Sequence, residues 1–297
     1  MIRKLSNTGK GRLYMVAAAL LWGLAGVCVK SIPWHPMSIM ASRCFFATII
    51  LALNKKSIKI SKPTKHTILG AVFQSLTGIF YIMSVKLTTA ATAIVLQYVA
   101  PILVFLFSVF VQKIKPKKIE AVLVFVVFAG CFLSFADRLD PTRLLGNILG
   151  LASGFTFAAQ IIACNDSRAN PSDAMFICNI ASFFVGLPFM FFDKEMSFTP
   201  SVVFWVVILG VFQYGLANAF YARGCQKVSK VEGSLLLTIE PIFNPIPTWI
   251  VTGETMSPLA LVGFFIVIGG VSTYGALPLI ENLSRKGRKV DFLKRIQ

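Results

Sequence analysis

Apolar runs close to the length of a bilayer crossing repeat along the whole chain, separated by short polar segments. A helix needs roughly 20 apolar residues to cross ~30 Å of hydrocarbon. By that ruler the pattern predicts spans near 12–31, 36–53, 66–85, 87–112, 117–135, 144–164, 172–192, 201–223, 229–252 and 257–280. The shortest separation, at Lys86, reads as a tight helical hairpin. The first run, from about Leu13 to Val29, follows a basic N-terminus but lacks a polar cleavage region. It therefore reads as a first transmembrane helix and not as a signal peptide. The expectation is an all-α integral membrane protein of about ten transmembrane helices.

The two halves echo each other at an offset of 140. Phe80-Tyr81 matches Phe220-Tyr221, Pro101 matches Pro241, Gly130 matches Gly270, and Leu69-Gly70 matches Leu209-Gly210. Val72-Phe73-Gln74 matches Val211-Phe212-Gln213 after a shift of one residue. The pattern divides the chain into a five-helix repeat at 1–140, a second at 141–281, and a basic tail at 282–297. Five crossings are an odd number, so the second copy runs inverted. Inverted repeats place a substrate site near the midplane, where the copies meet.

Composition supports membrane insertion. Hydrophobic residues are 56% of the chain, mean hydropathy is +0.75, and charged residues are only 14%, against about 25% in ordinary soluble domains. The net charge of +17 would suit a nucleic-acid binder, but its Lys and Arg sit between the apolar runs. With the N-terminus inside, 23 of them fall in cytoplasmic segments and 5 in opposite ones. That bias is the positive-inside signature of a protein with both termini in the cytoplasm. Trp34, Trp205 and Trp249 fall at predicted outer ends, where indoles favour the interface. No nucleic-acid partner is expected. Anionic lipid is a candidate partner for the basic loops and the tail from Arg285 to Arg295, although that charge also serves topology alone. The six cysteines show no C-x-x-C spacing, and His35 and His66 are far apart. Neither a disulfide framework nor a metal or cofactor site is expected.

Few polar residues lie deep in the spans. Glu240 is the one acidic residue near a span centre, where a charge costs roughly 2.5–3.5 kcal/mol on translocon scales. It is a candidate for substrate binding or proton coupling, or for a structural pairing. Asn244 and Thr248 continue its helix face at i+4 and i+8, and Pro241, Pro245 and Pro247 should kink that helix. Arg43 is the one basic residue mid-span. It is a candidate to hold a substrate carboxylate, to neutralise Glu240, or to serve as a structural partner for polar groups on a neighbouring helix. Tyr214, Asn218 and Tyr221 share one helix face, and Gln74, Gly78 and Tyr81 form its match in the first half. Both stripes are candidates to line one cavity. Trp22, Gln97, Tyr98 and Gln160 also lie near mid-membrane. A phosphate-binding loop, a nucleophile elbow and a histidine cluster are all missing from the sequence, which speaks against an enzyme. The lack of a repeated filter or charged ring speaks against a channel.

Several motifs together resemble the drug/metabolite transporter superfamily, in particular its EamA-type ten-helix carriers. They are Trp22-Gly23, Arg43, Leu96-Gln97-Tyr98-Val99-Ala100-Pro101, Ile239-Glu240-Pro241, Gly253-Glu254, Gly263 and Gly269-Gly270-Val271. The resemblance implies an inverted-repeat carrier of small organic solutes, amino acids among them, with many members acting as exporters. It also implies a cavity enclosed by both halves, with the fifth and tenth helices peripheral. The family often has an acidic residue after the fourth span, whereas this chain has Gln112-Lys113. The expected function is a secondary transporter of a small-molecule substrate in the plasma membrane. Alternatives are a carrier of organic cations or drugs, and a membrane interaction protein that transports nothing.

Overall fold

The computed structural model describes residues 6–55, 62–113, 118–133 and 143–253, together with 258, 259, 261–263, 265, 266, 269, 270 and 273. Among the described residues the regular structure is helical and no strand occurs. Nine helices follow in chain order: α1 (Asn7–Ser31), α2 (Pro36–Leu53), α3 (Lys65–Leu87), α4 (Ala90–Val111), α5 (Lys118–Leu133), α6 (Leu144–Asn165), α7 (Pro171–Phe192), α8 (Pro200–Lys227) and α9 (Lys230–Thr252). All but α5 are long and apolar enough to cross a membrane, and α5 contains a shorter apolar stretch. They agree with the predicted spans to within about a turn. The predicted span 257–280 lies partly outside the described residues, and the basic tail lies wholly outside them.

Helix starts and breaks follow from local chemistry. Thr89 Oγ1 accepts from the backbone N–H of Thr92 at 3.0 Å, and Ser229 Oγ accepts from that of Glu232 at 3.1 Å. Each hydroxyl satisfies an amide that the first helical turn leaves unpaired. The α4 helix breaks at Tyr98 and α9 breaks at Thr238. In each case a proline stands three residues on, at Pro101 and Pro241. A proline has no N–H to give to the carbonyl four residues back, so Gln97 and Leu237 each lose a helical donor.

The helix pairs in contact exchange when the halves are swapped. The contact of α3 with α6 has its counterpart in α8 with α1, and α2 with α8 in α7 with α3. Likewise α4 with α6 corresponds to α9 with α1, while α2–α7 and α4–α9 map onto themselves. The molecule is an all-α integral membrane protein of inverted-repeat architecture. Its outer surface carries exposed Leu53, Phe110, Phe184, Phe191, Phe192 and Ile250, an apolar belt that suits lipid and not water.

Tyr214, on α8, falls in a stretch wound as a π-helix over Ile208–Leu216, whereas α3 is regular throughout. The sequence repeat foreshadows this difference. Gln213 aligns with Gln74 at an offset of 139, and Tyr221 with Tyr81 at 140. Since Leu209-Gly210 aligns with Leu69-Gly70 at 140, the register slips by one residue at Gln213 and returns by Tyr221, and the slip begins within the π-helical stretch. Trp34, in the connection between α1 and α2, packs against the protein. It is buried, and its indole Nε1 donates to Ser197 O at 3.0 Å. Asp166, in the connection after α6, has its carboxyl held well below the usual range, chiefly by hydrogen bonds from Arg168.

Candidate functional site

A cleft near the middle of the spans is walled by both halves. The first half supplies Trp22, Ala25, Arg43, Gln74, Thr77, Gly78, Tyr81 and Gln97, and the second half supplies Phe157, Gln213, Tyr214 and Glu240. It spans about 370 Å³ of space, part of it open to the surroundings.

Around Glu240 the proline break has a direct consequence. Tyr98 places its phenolic oxygen 2.6 Å from Leu237 O, the carbonyl that Pro241 leaves without a helical donor. The same oxygen lies 2.8 Å from Glu240 Oε2. A phenol has one proton to give. That one proton can go to Leu237 O or to Glu240 Oε2, and the two acceptors compete for it. Tyr98 packs edge-on against Phe157, and Phe157 against Trp22, at 6.1 and 6.0 Å between ring centroids.

Arg43 is 2% exposed, and its Cζ lies 4.0 Å from the centroid of the Tyr214 ring. Its Nη2 donates to Met40 Sδ at 3.0 Å, and Nε has no hydrogen-bond partner. Among the described residues it forms no ion pair with Glu240 or any other carboxylate. The glycine at 78 makes room for the guanidinium, because a β-carbon there would collide with Nη2. Nearby, Gln74 Nε2 donates to Tyr214 OH at 3.3 Å and Gln213 Nε2 to Trp22 O at 3.3 Å. The Oε1 atoms of both glutamines, and Trp22 Nε1, are buried without partners.

Of the residues singled out in the sequence, Trp22, Gln74, Tyr81, Gln97, Tyr214, Glu240 and Arg43 face the cleft. Tyr98 and Asn244 stand behind it. Asn244 Nδ2 donates to Tyr81 OH at 3.4 Å, over the close approach that Gly26 permits. Pro101 and Pro241 are buried and do not line the cleft. Gln160, Asn218 and Tyr221 are fully buried and are not among the residues of the cleft wall, and the Tyr221 ring meets that of Trp22 at 5.3 Å between centroids, tilted by 36°. The amides of Gln160 and Asn218 and the hydroxyl of Tyr221 have no hydrogen-bond partner, and Asn179 of α7 shares that condition. Sequence reasoning passed over Thr77, Phe157, Asn179 and Gln213. The one-residue slip of the repeat carried the signal for Gln213.

The chain matches the model of the EamA-like transporter family twice, over residues 9–136 and 144–274. It is 26% identical to an uncharacterized transporter of Archaeoglobus fulgidus, over 88% of this chain and 94% of that one. It is 24% identical to the uncharacterized inner membrane transporter YicL of Salmonella typhimurium, over 90% and 95%. A crystal structure superposes with a TM-score of 0.73 at 19% identity, covering 89% of this chain and 96% of the other; this likeness is one of fold.

Proposed function

Since the chain belongs to the EamA-like transporter family, we propose that it is a secondary carrier that exposes the central cleft alternately to either side of the plasma membrane. The coarse part of this reading, a multi-pass membrane transporter, stands on the family match and the eight long apolar helices. The finer part is carried by one observation. A mid-span cleft is walled by both halves, and polar atoms on Trp22, Arg43, Gln74 and Gln213 are left unpaired. Unpaired polar groups at such depth are costly, and a polar solute that pairs with them offsets that cost.

The cleft suits a small amphipathic metabolite, with amino acids leading and export the favoured direction. The charge bias supports a topology with both termini in the cytoplasm. Glu240 is the candidate for proton coupling, because it is a carboxyl on the cleft wall whose ionised form competes with Leu237 O for the one proton of Tyr98. Counterflow in proteoliposomes, screening labelled amino acids alongside organic cations, tests carriage before coupling. Exchange of a labelled solute that falls in Gln97→Ala supports the carrier. Exchange of neither set counts against both solute classes. A pH gradient that drives wild-type uptake but not uptake by Glu240→Gln supports coupling, and indifference of both proteins to the gradient refutes it.

A further inference from the structure

Resting on the carrier reading, we propose that Arg43 is the anion subsite of the cleft and takes the carboxylate of the transported solute.

A buried guanidinium is normally compensated by a carboxylate or by several carbonyl oxygens. Arg43 has a different environment. Its contacts are an aromatic face, a thioether, the thiol of Cys44 and the space above a glycine, and its Nε is unpaired. The one other ionisable acid or base on the cleft wall, Glu240, is engaged by Tyr98 and makes no ion pair with Arg43. Arg43, Tyr81 and Glu240 all line this one cleft. The guanidinium carbon lies 4.0 Å from the centroid of the Tyr214 ring, and its N–H edge includes the unpaired Nε. That edge matches the two oxygens of a carboxylate, which a guanidinium binds in parallel. Gln74 and Gln213 contribute buried, unpaired carbonyl oxygens, and Glu240 adds a carboxyl. The cleft thus offers donors at Arg43 and acceptors elsewhere, the complement of a solute bearing a carboxylate and an N–H group.

The test uses three probes with nearly the same hydrocarbon tail: L-leucine, 4-methylpentanoate and 3-methylbutylamine. Equilibrium binding of each to the purified full chain in lipid nanodiscs is measured for wild type, Arg43→Gln and Arg43→Lys. The expected wild type binds leucine and the carboxylate at millimolar concentrations or below. Arg43→Gln should weaken both by ~10- to 100-fold, the range for a hydrogen bond to a charged group. The amine should stay within about twofold, and Arg43→Lys, which keeps the charge but not the fork, should fall between. Equal weakening of all three probes in Arg43→Gln would assign Arg43 a structural role and overturn the proposal. Failure of the wild type to bind either carboxylate-bearing probe would overturn it too. If Arg43→Gln does not fold, the same comparison is made with Arg43→Lys, where an unchanged carboxylate preference counts against the subsite. Counterflow separates the two readings. Head-group-dependent binding without exchange sinks the carrier and spares the subsite, whereas exchange unaffected at Arg43 does the reverse.

Discussion

Helices α4 and α9 begin on hydroxyl caps, Thr89 and Ser229, and both break ahead of a proline, at Tyr98 and Thr238. Each of these pairs is separated by 140 residues. Their chemistry then diverges. Glu240 of α9 stands where α4 has Ala100, and α7 carries no arginine to match Arg43 of α2. The duplicated features bend and cap the backbone, and either half needs them in order to fold. The features that are not duplicated are the charges, because one cleft shared by both halves needs each charge only once. Even Tyr98 follows this division, since its hydroxyl crosses to the other half to meet Leu237 O and Glu240.

The most disruptive way to break this asymmetry is to copy the charge. Ala100→Glu puts a carboxylate at a fully buried position whose equivalent of Tyr98 is Thr238, too short to serve it. The expected loss is about 2.5–3.5 kcal/mol, read as a lowered thermal midpoint in detergent or a failure to accumulate in the membrane. Next comes Tyr98→Phe, which leaves Leu237 O without its donor and should cost about 1–3 kcal/mol. A midpoint equal to wild type would show that the phenol contributes nothing to the α9 break. Gly78→Ala overpacks the space of the guanidinium and should cost about 1–3 kcal/mol. Arg43→Gln in the same background should recover part of that loss, and strictly additive losses would argue that the two do not compete. The smallest effect is expected where the halves are alike. Thr89→Ala and Ser229→Ala should each lose about 1 kcal/mol, and a large difference between them would break the equivalence of the two starts.

Much of the fold was legible because hydrophobic length is a strong signal. The eight long helices fall close to where apolar run length puts them, since a bilayer-sized run has few other uses. Arg43 and Glu240 stood out for a related reason, as ionisable residues are conspicuous in apolar surroundings. The arrangement around them was much less legible. Helix periodicity put Tyr214, Asn218 and Tyr221 on one face, but the π-helical turns alter that register. Tyr214 meets the cleft with Gln213, while Asn218 and Tyr221 are buried and not among the residues of its wall. Phe157 and Thr77 carry no sequence signal of their own, because a phenylalanine or threonine in a span has many ordinary roles. The Tyr98–Leu237 bond joins residues 139 apart through a carbonyl freed by a proline, and no single-segment pattern encodes such a bond.

The glycine at 78 bears on how related chains should be compared. An arginine in a second transmembrane helix is a common enough coincidence to say little alone. Here the guanidinium lies in the volume that any β-carbon at 78 would claim, so the two positions form one steric unit. A β-carbon at 78 would force the guanidinium to shift, so an arginine in the second helix is best weighed together with the residue that stands at 78.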